Sequence, residues 1–152
     1  SHYVELLDSA GMLSGLAKYT PDQARQRASI PKWQVQNTAY HSVYSNYSFE
    51  NALYTPSTWG RHVESAVGAH LIRGVKKDKI QLYYWREKSD EMDFVMLKNN
   101  KVIGIEVKSG KNTKPDRTVA FSQQIKPDKI YLIGTGGMPW EEFLNTEPKD
   151  FF

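Results

Sequence analysis

The sequence predicts an α/β (α+β) fold in which a mixed sheet is flanked by helices, and three observations carry that prediction. Three strand-like runs, Ile80 to Trp85, Met92 to Leu97 and Val102 to Lys108, follow one another with turn-forming stretches between them. Ahead of them, Trp59, Val63, Ala66, Val67 and Leu71 recur at helical spacing. Behind them, a short helical stretch from Thr118 to Ile125 leads into the strand Lys129 to Ile133, an order that returns a strand to a sheet in parallel.

In order along the chain, Tyr3 to Ala10 reads as the end of a helix and Met12 to Tyr19 as a strand. Thr20 to Pro31 is polar and basic with a proline near each end, so residues 21–31 read as a linker or surface loop. Lys32-Trp33-Gln34-Val35-Gln36 makes a short strand, after which Asn37 caps a helix expected to run to about Tyr47. Tyr40, Tyr44 and Tyr47 share one face of it. Aromatic stripes can stack bases, yet this spacing points first to core packing. Pro56-Ser57-Thr58-Trp59 opens the long helix with a Ser or Thr cap, and Gly74 is expected to end it. The three central runs form an antiparallel meander, with turns at 87–91 and at Lys98-Asn99-Asn100-Lys101. Pro139 places a proline in the first turn of a final helix through Leu144.

Composition bounds the possibilities. A chain of 152 residues with 39% hydrophobic content supports one main core. The absence of cysteine excludes disulfide scaffolds and zinc–thiolate sites, and no apolar run reaches the length of a membrane span, so the cytoplasm is the expected compartment. The chain opens on Ser rather than Met and reads as part of something longer. A net charge of +3 is compatible with nucleic acid without requiring it. Two basic clusters stand out: Arg73 to Lys79, which reads as a solvated turn, and Lys108 with Lys111, Lys114 and Arg117, which lies where a phosphate backbone would pass. No Gly-x-x-x-x-Gly-Lys-Ser/Thr loop, Gly-x-Ser-x-Gly elbow or cysteine nucleophile is present, so neither ATP hydrolysis nor acyl transfer is expected of these residues.

The residues that carry chemistry are Glu64, Asp93, Glu106 and Lys108. On a strand, residues two apart share a face, so Ile103, Ile105 and Val107 form an apolar stripe while Gly104, Glu106 and Lys108 line the other side. The hairpin sets Asp93 on the neighbouring strand, within reach of Glu106. A solvated sheet face with a cross-strand ion pair satisfies the same pattern. The flanks argue otherwise: Asp93 lies between Met92 and Phe94, and Glu106 between Ile105 and Val107, so both carboxylates emerge from a largely buried sheet. Buried like charges need a cation. Hard oxygen donors of this kind suit Mg²⁺ or Mn²⁺. Glu64 sits beside the apolar face of its helix, open to a site role or to a surface pairing with Arg61 or Lys76. His62 and His70 read as helix-surface or packing residues, and Gln123 and Gln124 as surface amides.

At these residues the chain resembles the PD-(D/E)xK superfamily of restriction-endonuclease-like folds. The longer match, Trp59-Gly60-Arg61-His62-Val63-Glu64, Leu82-Tyr83-Tyr84-Trp85-Arg86, Met92-Asp93-Phe94-Val95 and Ile105-Glu106-Val107-Lys108-Ser109-Gly110, resembles the domain-of-unknown-function family 4143, usually the C-terminal part of AAA-type ATPases. That resemblance implies metal ligation by Asp93, Glu106 and Glu64, a water-orienting role for Lys108, DNA as the partner, and an ATPase domain upstream in the same polypeptide. It implies metal-dependent phosphodiester hydrolysis or, alternatively, a non-catalytic nucleic-acid- or partner-binding module that regulates the ATPase. It further implies that residues 1–20 are a partial winged-helix or wing segment and residues 32–152 the nuclease-like domain. Met92 stands where the superfamily pattern has proline.

Overall fold

A computed structural model describes residues 2–22, 26, 29–108 and 118–152. Lys111, Lys114 and Arg117 lie outside the described residues. A six-stranded mixed sheet forms the centre, in the order β2-β1-β3-β4-β5-β6. Its strands are β1 (Leu13–Lys18), β2 (Lys32–Val35), β3 (Gln81–Glu87), β4 (Asp90–Lys98), β5 (Lys101–Lys108) and β6 (Lys129–Gly134). The helices are α1 (His2–Ser9), α2 (Ala39–Tyr44), α3 (Phe49–Tyr54), α4 (Pro56–Lys77), α5 (Thr118–Ile125) and α6 (Trp140–Leu144), followed by a 3₁₀ turn at Pro148–Phe151. The meander β3–β4–β5 is antiparallel and β6 joins β5 in parallel, as the sequence predicts. β1 lies inside the sheet, antiparallel to β2 and parallel to β3.

The sheet separates two apolar clusters. Beneath α4, Val67, Leu71, Ile72 and Val75 pack on Phe94, Met96, Ile103, Ile105 and Ile133, and Phe143 and Phe151 close the far end. On the opposite side, Phe121 of α5 packs with Trp85, Met92, Val95 and Val102. The alternation of β5 supplies both, since its odd residues face α4 and Val102 faces α5.

The turn between β4 and β5 places Asn99 and Asn100 at φ of 49° and 65°. This pair of left-handed residues matches the twist of a two-residue hairpin, and asparagine tolerates it.

The long helix runs through Gly74, where the sequence suggests an end. Gly74 instead serves close approach: a Cβ there would come within 2.4 Å of the Pro148 ring. α4 begins at Pro56 with Thr55 as its cap residue, and no side chain closes that cap. The helix expected over 38–47 stops at Tyr44, and a second begins at Phe49 with the Ser48 hydroxyl accepting from the Asn51 N–H. Tyr44 is 82% exposed and Tyr47 53%, so this stripe does not pack a core. Among the described residues, no helix is long and apolar enough to cross a membrane.

Candidate functional site

At one end of its α4 face the sheet turns polar. The strand β2 inverts the usual pattern, with Trp33 half exposed at 47% and Gln34 buried. Residues 32 and 34 share the face toward α4. The Gln34 amide donates to the Ser65 carbonyl at 3.0 Å, and Gly68 admits it, because a Cβ there would lie 2.4 Å from the amide. This seat fixes β2 against α4. Lys32, two residues earlier, then reaches the neighbouring helix residue: its Nζ donates to Glu64 Oε1 at 2.7 Å.

Asp93 arrives at the same place through an irregularity in β4. Tyr83 pairs with Val95 and Trp85 with Met92, so Asp93 and Phe94 together stand opposite the single residue Tyr84. Such a bulge re-aims side chains. Phe94 enters the cluster beneath α4, and Asp93, instead of alternating away, joins Lys32 and Glu64. The ladder between β4 and β5 extends only to the Phe94–Ile105 pair, and the Val107 N–H donates to Asp93 Oδ2 at 2.8 Å. The carboxylate thus substitutes for a backbone acceptor.

The cluster contains three acids. Lys32 Nζ lies 3.5 Å from Glu91 Oε1 and 3.7 Å from Asp93 Oδ1, and 5.2 Å from the centre of the Phe94 ring. Arg86 holds Glu91 from outside at 2.6 Å. Burial pushes the Asp93 carboxyl up to about 6, the charge of Glu64 adds to that, and Lys32 and the Val107 N–H only partly oppose it. Burial works against the Lys32 ammonium, yet Asp93, Glu64 and Glu91 hold its pKa above the ordinary lysine value. One lysine is well served by three acids, whereas three acids are poorly served by one lysine. Asp93 is the member whose charge is most costly.

The four site residues expected from sequence therefore divide. Glu64 and Asp93 meet. Glu106 is buried, at 6% exposure, and alternation sets it with Val102 and Gly104 on the α5 side, since Ile105 and Val107 belong to the α4 side. Lys108 ends β5, where its carbonyl accepts from the Thr135 N–H, and it borders a cavity of about 310 Å³ with Trp59, Val63 and Trp140. Lys32 and Glu91 were not singled out by sequence reasoning. The polar-in face of Lys32-Trp33-Gln34 is a property of the folded strand, and the sequence carries only the alternation of polar residues 32 and 34 around Trp33.

A larger cleft of about 790 Å³ opens on the other side of Lys32. Among the described residues, Lys18, Lys32, Arg86 and Lys88 line it against one acid, Glu87, and Gln124 contributes from α5. Of the histidines, His70 packs on Phe143 with its Nε2 2.9 Å from the Thr146 carbonyl oxygen, and His62 meets His41 edge to face.

The described residues as placed do not fit a divalent metal. Among the described residues, no group of three or more His, Cys, Asp or Glu side chains is set to hold one. The Lys32 ammonium lies among the oxygens of Glu64, Glu91 and Asp93, so those carboxylates are engaged by a cation of the chain itself.

Fold and site together define an α/β domain with an acid cluster gathered around one lysine at one end of its sheet. The chain matches the family described as "Domain of unknown function (DUF4143)" over residues 59–141, more than half its length, and belongs to that family. The matched segment runs from the start of α4 to the start of α6 and includes Glu64, Glu91, Asp93, Glu106 and Lys108. No curated protein and no solved structure matches the chain.

Proposed function

We propose that this chain is a non-catalytic module of nuclease-like fold that binds nucleic acid and serves an AAA-type ATPase carried elsewhere in the polypeptide. The observation that carries this reading is the ammonium of Lys32 set between Glu64, Glu91 and Asp93, at 2.7 to 3.7 Å from their oxygens. A phosphodiesterase site of the acid-and-lysine kind needs its carboxylates free to hold a metal ion and a lysine free to meet water. Here two of the expected acids are engaged by a lysine from another strand, and Glu106 stands on the other face. The neighbouring cleft, with Lys18, Lys32, Arg86 and Lys88 on its walls, supports binding of a phosphate backbone.

The nuclease reading keeps one specific support: Glu64 and Asp93 do converge, from a helix and a strand, with an excess of negative charge that raises the Asp93 pKa to about 6. One experiment separates the two. Labelled single- and double-stranded DNA is titrated with the protein in Mg²⁺ and in Mn²⁺, reading anisotropy for binding and gels for cleavage, with Asp93→Ala as control. The module reading expects binding that weakens as salt rises, with intact DNA. Cleavage that disappears in Asp93→Ala establishes the nuclease instead, and no binding under any condition removes nucleic acid as the partner.

A further inference from the structure

We propose that Lys32 is a resident counter-ion that stands where a divalent cation would otherwise be required, so that this fold closes without metal. The inference deepens the non-catalytic reading of the same site and rests on it.

Three features of the cluster support the assignment. First, the oxygens come from different elements, α4 for Glu64 and β4 for Glu91 and Asp93, and the ammonium of β2 joins them. An ammonium offers three donors, and Lys32 Nζ has four oxygens within 3.7 Å, counting the Asp93 carbonyl at 3.5 Å. Second, the distances are those of an ammonium, with one hydrogen bond of 2.7 Å to Glu64 and looser ion pairs of 3.5 and 3.7 Å to Glu91 and Asp93. Mg²⁺ draws its oxygens to about 2.0–2.1 Å, so its entry would require the lysine to leave and every carboxylate to close in. Third, the charge count makes the ammonium necessary. Among the described residues, Lys32 and Arg86 face three carboxylates; without Lys32, Arg86 leaves an excess of two negative charges in that set, which one divalent ion would balance.

The position of Lys32 is built rather than incidental. Its strand is fixed by Gln34 in the notch at Gly68, and its ammonium lies over the Phe94 ring. A free surface lysine pays rotamer entropy for each such contact, but here the stem is partly covered, with 20% of the side chain exposed.

The test compares wild type with Lys32→Met, which keeps the stem and removes the charge, and with Lys32→Arg, which keeps the charge. Melting is followed by circular dichroism in EDTA and in Mn²⁺, and Mn²⁺ binding by calorimetry. The wild type is expected to melt at the same temperature in both and to show no binding heat. Lys32→Met should melt lower in EDTA by roughly 5–10 °C, recover part of that in Mn²⁺, and bind the ion saturably; Lys32→Arg should behave as wild type. Adding Glu64→Gln to Lys32→Met rebalances the charge and should restore melting without metal. If Lys32→Met fails to fold, that double variant decides: a folded double variant supports the assignment, and an unfolded one overturns it. Saturable Mn²⁺ binding by the wild type, or a Lys32→Met protein as stable as wild type in EDTA, also overturns it. Anisotropy of labelled DNA on the same samples keeps the two readings apart, because wild type that ignores both Mn²⁺ and DNA retains the counter-ion and loses the nucleic-acid module.

Discussion

Asp93 and Glu106 lie across one hairpin, yet they end on different sides of the sheet. Asp93 joins Lys32 and Glu64 beneath α4, while Glu106 is buried on the side of Val102 and Gly104. A single extra residue in β4 makes the difference: with Asp93 and Phe94 both opposite Tyr84, the acid changes face, whereas β5 alternates without interruption. Spacing along a motif places charges on strands, and the register between strands decides which of them meet.

The comparison can be broken most severely at Phe94, which is fully buried and carries the bulge into the core. Phe94→Ala is expected to cost about 3–5 kcal/mol, measured by urea denaturation; a loss below about 1 kcal/mol would falsify its role as the platform of the cluster.

A pair of double-mutant cycles sharpens the contrast between the faces. Lys32→Met combined with Glu64→Gln should show a coupling of about 1–3 kcal/mol, and Lys32→Met combined with Glu106→Gln less than about 0.5 kcal/mol. Equal couplings would mean that Glu106 shares the cation after all.

Asp93 gives a pH signature. Its folded-state pKa of about 6 lies above the ordinary aspartate value, so between roughly pH 4 and pH 6 the folded chain holds a proton that the unfolded chain has released. Stability from this group is therefore fully present below that window and is lost as pH rises through about 6. The difference should be on the order of 3 kcal/mol, and Asp93→Asn should flatten it. A wild-type profile that rises with pH across this window, or a slope unchanged by Asp93→Asn, would contradict the assignment.

The smallest effect is expected at the mouth of the cleft. Lys18 and Glu87 pair at 3.4 Å in solvent, so Lys18→Ala should change stability by less than about 0.5 kcal/mol while weakening DNA binding and lowering its salt dependence. Unchanged DNA affinity would remove the cleft from the binding surface.

Much of the fold was legible because local chemistry determined it. The Asn99–Asn100 turn and the flanking alternation place the hairpin, and the apolar spacing over Thr118–Ile125 followed by Lys129–Ile133 places α5 and β6. Family membership followed from the same segments. What escaped the sequence depends on contacts between distant residues. Gly74 looks like a helix end until Pro148 packs on it, and the tyrosines at 44 and 47 look like a core stripe until the chain breaks at Ser45. The site was half legible. Its need for a cation could be argued from acids in apolar strands, but a lysine at the start of a strand carries no mark of burial, and nothing in local sequence announces a bulge. Only Gln34 facing inward beside an exposed Trp33 hints that this strand presents its polar side to the protein.

The sheet order also predicts a sequence of events in folding. β3, β4 and β5 are joined by two tight turns and close locally, whereas β1, with β2 at its edge, meets β3 across a long stretch of chain. Local pairings form faster than distant ones, so Glu91 and Asp93 are expected to be assembled on β4 before β2 delivers Lys32. Over such an interval the acids would repel one another with no lysine between them. Stopped-flow refolding should accordingly run faster near pH 5 than near pH 8, with the gap narrowing as salt is added; the last-arriving strand would then govern how quickly the whole chain becomes native.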